Sequence, residues 1–157
     1  MVKIPDLPSN PEKKIEENLY KPGKFEITEE EEFRIDIPVK LEDKKRWTIV
    51  SDKKFADETH WVSFRMWTYQ EEVELRKQAT NYDQIKRMHL IDNDMLNRLK
   101  LQKLIKAWSF EEQNPNLKLI HVNGILCDES YKAITNLHPN ILRFIIEKMN
   151  DVLEYNA

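Results

Sequence analysis

Between residues 92 and 110 the apolar side chains change sides along what the pattern predicts to be one helix. At about 100° per residue, Met95, Leu96 and Leu99 fill one arc, and Leu101, Leu104, Ile105 and Trp108 fill another on the far side. A helix with two apolar surfaces is either central to its own domain or shared with another chain. The pattern carries this helix to near Trp108, after which Asn114, Pro115 and Asn116 predict a loop.

With 157 residues there is room for one domain and little room for two. Apolar residues make up 40% and charged residues 34%, which describes a modest core under a well-solvated surface. The net charge is −3; residues 1–60 hold 12 basic against 15 acidic groups, and the remainder is balanced. A nucleic-acid binder would show a basic excess on one face, so none is expected as a partner. Arg98, Lys100, Lys103 and Lys106 spread around their helix and read as solvent contacts. Cys127 is the only cysteine, which excludes an internal disulfide and fits a reducing compartment. The start of the chain lacks the apolar segment of a signal peptide, and no run approaches the roughly 18 apolar residues of a membrane span.

Residues 1–30 hold Pro5, Pro8, Pro11 and Pro22 among Lys and Glu and read as an extended arm, with residues 31–157 as one α+β domain. The four glutamates at 29–32 read as a solvated charge run. Phe33, Ile35 and Ile37 alternate with Arg34 and Asp36 up to Pro38, predicting a short or edge strand. Residues 47–50 and 61–67 are further strand candidates, completing a small N-terminal antiparallel sheet. Thr68 and Glu71 make a capping box, so a helix is expected from Tyr69 through Val73, Leu75 and Ala79. Residues 82–90 read as a second short helix, and Asp92 or Asp94 as the cap of the long one. Asn123-Gly124 predicts a type I′ turn between residues 117–122 and 125–127. Asp128 or Ser130 is then expected to cap a short helix bearing Tyr131, Ile134 and Leu137. Pro139 opens a last helix whose stripe is Ile141, Leu142, Ile145, Ile146, Met149, Val152 and Leu153. The expected fold is thus a small sheet with an arm, followed by a bundle of four or five helices.

Little of this is chemistry. Gly23 and Gly124 are the only glycines, so no phosphate-cradling loop of the P-loop or dinucleotide type exists. His89, Asp92 and Asp94 have spacing for a metal or acid/base site, but helix capping accounts for the carboxylates. His121 and Cys127 bracket the Asn-Gly turn and would make an activated thiol if they met across a hairpin; a packed cysteine is the simpler reading. No catalytic residues, metal or cofactor are expected. Phe144 and Tyr155 fall off the last helix's stripe, on a second face that either packs on the arm or sheet or anchors a partner.

From Trp61 onward, WVSFRMWTYQEEVELRK, a helix ending in AWSF, then VNG and a closing helix after HPNI follow one another. Over residues 45–155 this order resembles the tail assembly chaperones of long-tailed bacteriophages. The resemblance implies a non-enzymatic, mainly helical protein of the host cytoplasm that binds the tape-measure protein and keeps its apolar helices from aggregating. The Pro- and Glu-rich start departs from that family pattern. The rival reading is a structural component retained in the virion tail, such as a baseplate or tail-completion protein, and the third is an enzyme using His121 and Cys127. Candidate partner contacts are Leu101, Leu104, Ile105 and Trp108 on one helix and Phe144 and Tyr155 on another, with self-association left open.

Overall fold

The computed structural model describes residues 31–43 and 46–155, with the side chain of Tyr155 excepted. The arm expected over residues 1–30 lies outside the described residues. The described residues are mixed α+β, with a four-stranded antiparallel sheet, two two-stranded ribbons and five helices. Strands β1 (Glu32–Leu41), β2 (Trp47–Ile49), β3 (Glu58–Arg65) and β6 (Ile105–Trp108) form a four-stranded sheet in the order β2-β1-β3-β6.

The alternation at Phe33, Ile35 and Ile37 is the start of β1, which runs on through Pro38 to Leu41. Pro38 is tolerated inside a central strand because its missing N–H faces the flank where β2 has ended. Its carbonyl accepts from Val50 N at 3.0 Å, just past the last β2 residue. The core face of β1 and β3 carries Ile35, Ile37, Val39, Val62 and Phe64, all buried, with Phe33 stacked on Phe64 at 5.5 Å.

Thr68 and Glu71 form the capping box, and helix α1 (Tyr69–Gln78) begins where the motif places it. Residues 82–90 are not a helix. Strands β4 (Thr80–Asp83) and β5 (Met88–Ile91) pair there as a hairpin, reversed at Asp83, whose Oδ1 accepts from Ile85 N and Lys86 N. Asp92 caps helix α2 (Asn93–Leu104) by accepting from Met95 N at 3.1 Å. The structure ends α2 at Leu104, so the expected single helix to Trp108 is corrected. The chain turns extended at Ile105 and enters the sheet as β6, pairing with β3.

The β6 register explains why the apolar pattern changed sides. Ile105 pairs with Phe64 and Ala107 with Ser63, so β6 carries one extra residue at this point, a bulge. The bulge resets the alternation and lets both Ile105 and Trp108 face the core beside Phe64 and Val62.

After helix α3 (Phe110–Gln113), the short strands β7 (His121–Val122) and β8 (Ile125–Leu126) flank Asn123-Gly124. Asn123 (φ 54°) and Gly124 (φ 79°) supply the two positive φ angles a type I′ turn requires. Helix α4 (Asp128–Thr135) follows, but neither Asp128 nor Ser130 caps it. Cys127 holds the N-cap position without a side-chain bond to the helix backbone, and Leu137 lies past the helix end. The Ser130 hydroxyl is turned to the chain before the hairpin, accepting from Ile120 N and donating to the Lys118 carbonyl. Pro139 opens helix α5 (Pro139–Tyr155), whose Ile145, Met149 and Leu153 are buried and which packs on β1. Among the described residues α5 is laid on β1 and α1 against α2, which does not establish the expected bundle of four or five helices.

Candidate functional site

The four candidate contacts on the long helix are interior. Leu101, Leu104, Ile105 and Trp108 are each 2% exposed or less, and Leu104 and Ile105 are separated by the helix-to-strand change. The Trp108 indole N–H donates to the Leu117 carbonyl at 2.6 Å, and its ring meets Phe110 edge-on at 5.3 Å. Within the described domain they join helix, sheet and the loop after β6. Phe144 is half-buried against the core and lines a shallow groove with Pro38, Ile49, Val50 and Lys53, with the Lys148 ammonium 5.6 Å from its ring. Its off-stripe position thus places it at the margin of the core, beside the groove. Tyr155 is the last helical residue, and its side chain lies outside the description.

His121 and Cys127 do not make a pair. In the hairpin register His121 opposes Leu126, and its Nε2 lies 2.7 Å from the Ile105 carbonyl. The Cys127 sulfur lies 3.4 Å from Ser130 Oγ, and hydrogen bonding with Ser130, through its side chain first and then its backbone, holds the thiol below its ordinary value. Asp92 is engaged in capping, and His89 meets the Tyr82 ring edge-on at 5.2 Å. Among the described residues no cluster of three metal-binding side chains occurs, and no helix is long and apolar enough to cross a membrane.

Uncovered apolar surface gathers instead on the β4–β5 ribbon. Its register places Tyr82, His89, Thr80 and Ile91 on one face, and Asn81, Leu90, Asp83 and Met88 on the other. Tyr82, Met88, Leu90 and Ile91 are all exposed, and Ile85 at the tip is 94% exposed. A two-stranded ribbon is marginal in water by itself. Here it is held at its base, where Asp92 N donates to the Ala79 carbonyl at 2.8 Å and Thr80 Oγ1 to the Arg76 carbonyl at 2.6 Å. Among the described residues neither face of the rest is covered. Alternation at Met88, Leu90 and Ile91 is too short and too mixed to separate strand from helix, so the sequence pattern missed it.

A second feature is a cleft of about 700 Å³ between β6, the end of α2 and the β7–β8 turn. Arg65, Lys103, Lys106 and His121 line it, with Glu71 the one carboxylate among the described lining residues. Arg65 grips Glu71 with two bonds of 2.8 and 2.6 Å, and Lys103 stands 3.8 Å away. Lys106, the residue at the β6 bulge, reaches Glu32 at 3.7 Å. The Arg65 guanidinium, with the Thr68 amide and Lys103, outweighs partial burial and holds the Glu71 carboxyl at about 2, below its ordinary 4.5. The depressed value has a definite sign: the contribution to stability is complete above pH 4.5 and is lost as pH falls from 4.5 toward about 2. Glu71→Gln is therefore expected to lower stability at neutral pH and to flatten the acid limb of a denaturation profile over that window.

No protein-family model matches the chain, and neither a curated protein nor a solved structure matches it.

Proposed function

We propose that this chain is a non-enzymatic interaction protein that captures an apolar segment of a partner on the β4–β5 ribbon. The form of that activity consistent with the resemblance noted above is a phage tail assembly chaperone, acting in the host cytoplasm and holding helices of the tape-measure protein. The supporting observation is the ribbon itself, where five large apolar side chains stand exposed on an element that no other described residues cover on either face. Each such side chain, once covered, contributes about 1.5–3 kcal/mol relative to exposure, against which the ordering costs of association are set. Exposed aromatics and large aliphatics at the centre of a contact carry most of its energy, and Tyr82, Ile85 and Met88 have that character.

Ile85→Asp combined with Met88→Ser is expected to leave stability within about 0.5 kcal/mol, because both side chains face solvent. The same double variant is expected to weaken binding of co-expressed tape-measure protein at least tenfold, read by titration calorimetry or pull-down. Unchanged binding would remove the ribbon from the account. Mass spectrometry of purified particles separates a chaperone, which is absent from them, from a retained tail component. Cys127→Ser is expected to leave partner binding unchanged; its loss would revive a role for the thiol.

A further inference from the structure

The β4–β5 ribbon has edges as well as faces, and its edges are not alike. At its base Asp92 N donates to the Ala79 carbonyl, which makes Ala79 and Asp92 a hydrogen-bonded pair. Hydrogen-bonded and non-hydrogen-bonded pairs alternate along an antiparallel ladder. In the ribbon's register Asn81 with Leu90, and Asp83 with Met88, are therefore the hydrogen-bonded pairs, and the N–H and C=O groups of His89 and Ile91 point outward along β5. Those of Thr80 and Tyr82 point outward along β4. Every residue of β5 is exposed, whereas Thr80 and Asp83 of β4 are partly buried. An open edge is ordinarily guarded by a charge, a proline or a bulge. The β5 segment, Met88–Ile91, carries none of these.

We propose that the outer edge of β5 pairs with the same edge of a second copy of this chain, joining their ribbons into one antiparallel sheet. A two-fold axis through Leu90 is the register that engages both outward residues, with His89 opposite Ile91 of the second copy and Leu90 opposite its own counterpart. That register makes about four hydrogen bonds and sets the Leu90 residues as a non-hydrogen-bonded pair, with Cα atoms about 4.5 Å apart. The strand suits its own copy because it holds no Asp, Glu, Lys or Arg. Charge at its ends selects the same orientation. Antiparallel pairing sets Lys86 and Arg87 at the tip of one ribbon beside Asp92 and Asp94 at the base of the other, and among the described residues none of these four makes an ion pair. The contact uses an edge and leaves both faces for a captured partner, so it does not rest on that reading. One short strand falls below the roughly 800 Å² per partner of a standard interface, so the dimer forms as concentration rises.

The test uses the full chain with no partner present. Sedimentation from micromolar to millimolar concentration is expected to show monomer passing to dimer. Amide exchange on the same samples needs no substitution. It is expected to slow at His89 and Ile91 as the dimer forms, while Met88 and Leu90, already bonded to β4, stay unchanged. Leu90 is 37% exposed, and Leu90→Lys and Leu90→Asp are each expected to weaken dimerisation at least tenfold, because like charges then face each other across the axis. An equal mixture of the two variants is expected to restore the dimer, since residue 90 meets its own counterpart. A chain still monomeric at millimolar concentration, a dimer that protects Thr80 and Tyr82 instead, or a mixture that stays monomeric would overturn the proposal. So would slow exchange at His89 and Ile91 in the dilute monomer, which would show the edge already covered within one chain. Capture of tape-measure protein is read separately by pull-down, so the failure of either reading is distinguished from that of the other.

Discussion

Trp108→Ala is expected to cost about 3–5 kcal/mol of stability, the range for deleting a large buried aromatic. In a chain of this size that lowers the melting temperature by roughly 6–20 °C. Three losses combine. The indole fills space against Phe110 and the core face of β3, and it is 1% exposed. Its N–H holds the Leu117 carbonyl, which ties the segment after α3 to the sheet. Its removal also leaves a cavity at the bulged junction where β6 joins β3, a place with few ways to collapse. Thermal melting by circular dichroism reads the effect. A variant that melts normally and only loses partner binding would restore Trp108 to the surface role its helical-wheel position suggested.

Glu154→Ala is expected to be nearly as damaging, through a charge left behind. Lys100 is 2% exposed, and its ammonium donates to Glu154 at 2.7 Å and to Asn150 at 2.8 Å while lying 5.0 Å from the Trp67 ring. Arg76 grips the same carboxylate with two 2.8 Å bonds, so helices α1, α2 and α5 meet at Glu154. Burial pushes the Glu154 carboxyl up, but Lys100 and Arg76 more than offset this and hold it below its ordinary value. Removing one partner of a buried pair costs roughly 3–5 kcal/mol, and the low end applies because the Glu154 side chain is 34% exposed. Glu154→Gln keeps the shape and a hydrogen-bond acceptor, so it is expected to lose less. Equal stability of the alanine variant and the parent in urea denaturation would show that Lys100 is solvated in place.

Local chemistry made much of the fold legible. The Thr68/Glu71 box, the Asp92 cap, Asn123-Gly124 and Pro139 each act through backbone groups within three or four residues of themselves, and each stands where its motif placed it. The features that escaped were set by distant partners. Residues 105–108 are strand because β3 offers an edge, and the extra residue at the bulge erased the alternation that would have marked them. The two-sided apolar pattern was thus the trace of one segment passing from helix to sheet, with Leu101, Leu104, Ile105 and Trp108 buried and Met95 and Leu99 half-buried at the edge of the core. Residues 82–90 are too short to reveal a period, and their turn rests on one Asp side chain. The placing of Ile105 and Trp108 on one helix face escaped for the same reason: a wheel drawn through Leu104 and Trp108 assumes a helix that has ended. Lys100 was assigned to solvent because its partner, Glu154, lies 54 residues away.

Amide hydrogen exchange on the chain alone and in the presence of tape-measure protein, the partner proposed above, tests the central claim most directly. The account predicts new protection across residues 80–91 on binding, with residues 101–108 already slow in the free chain and unchanged in the complex. Fast exchange at 101–108 in the free chain, or protection gained there while 80–91 stays unaltered, would contradict it.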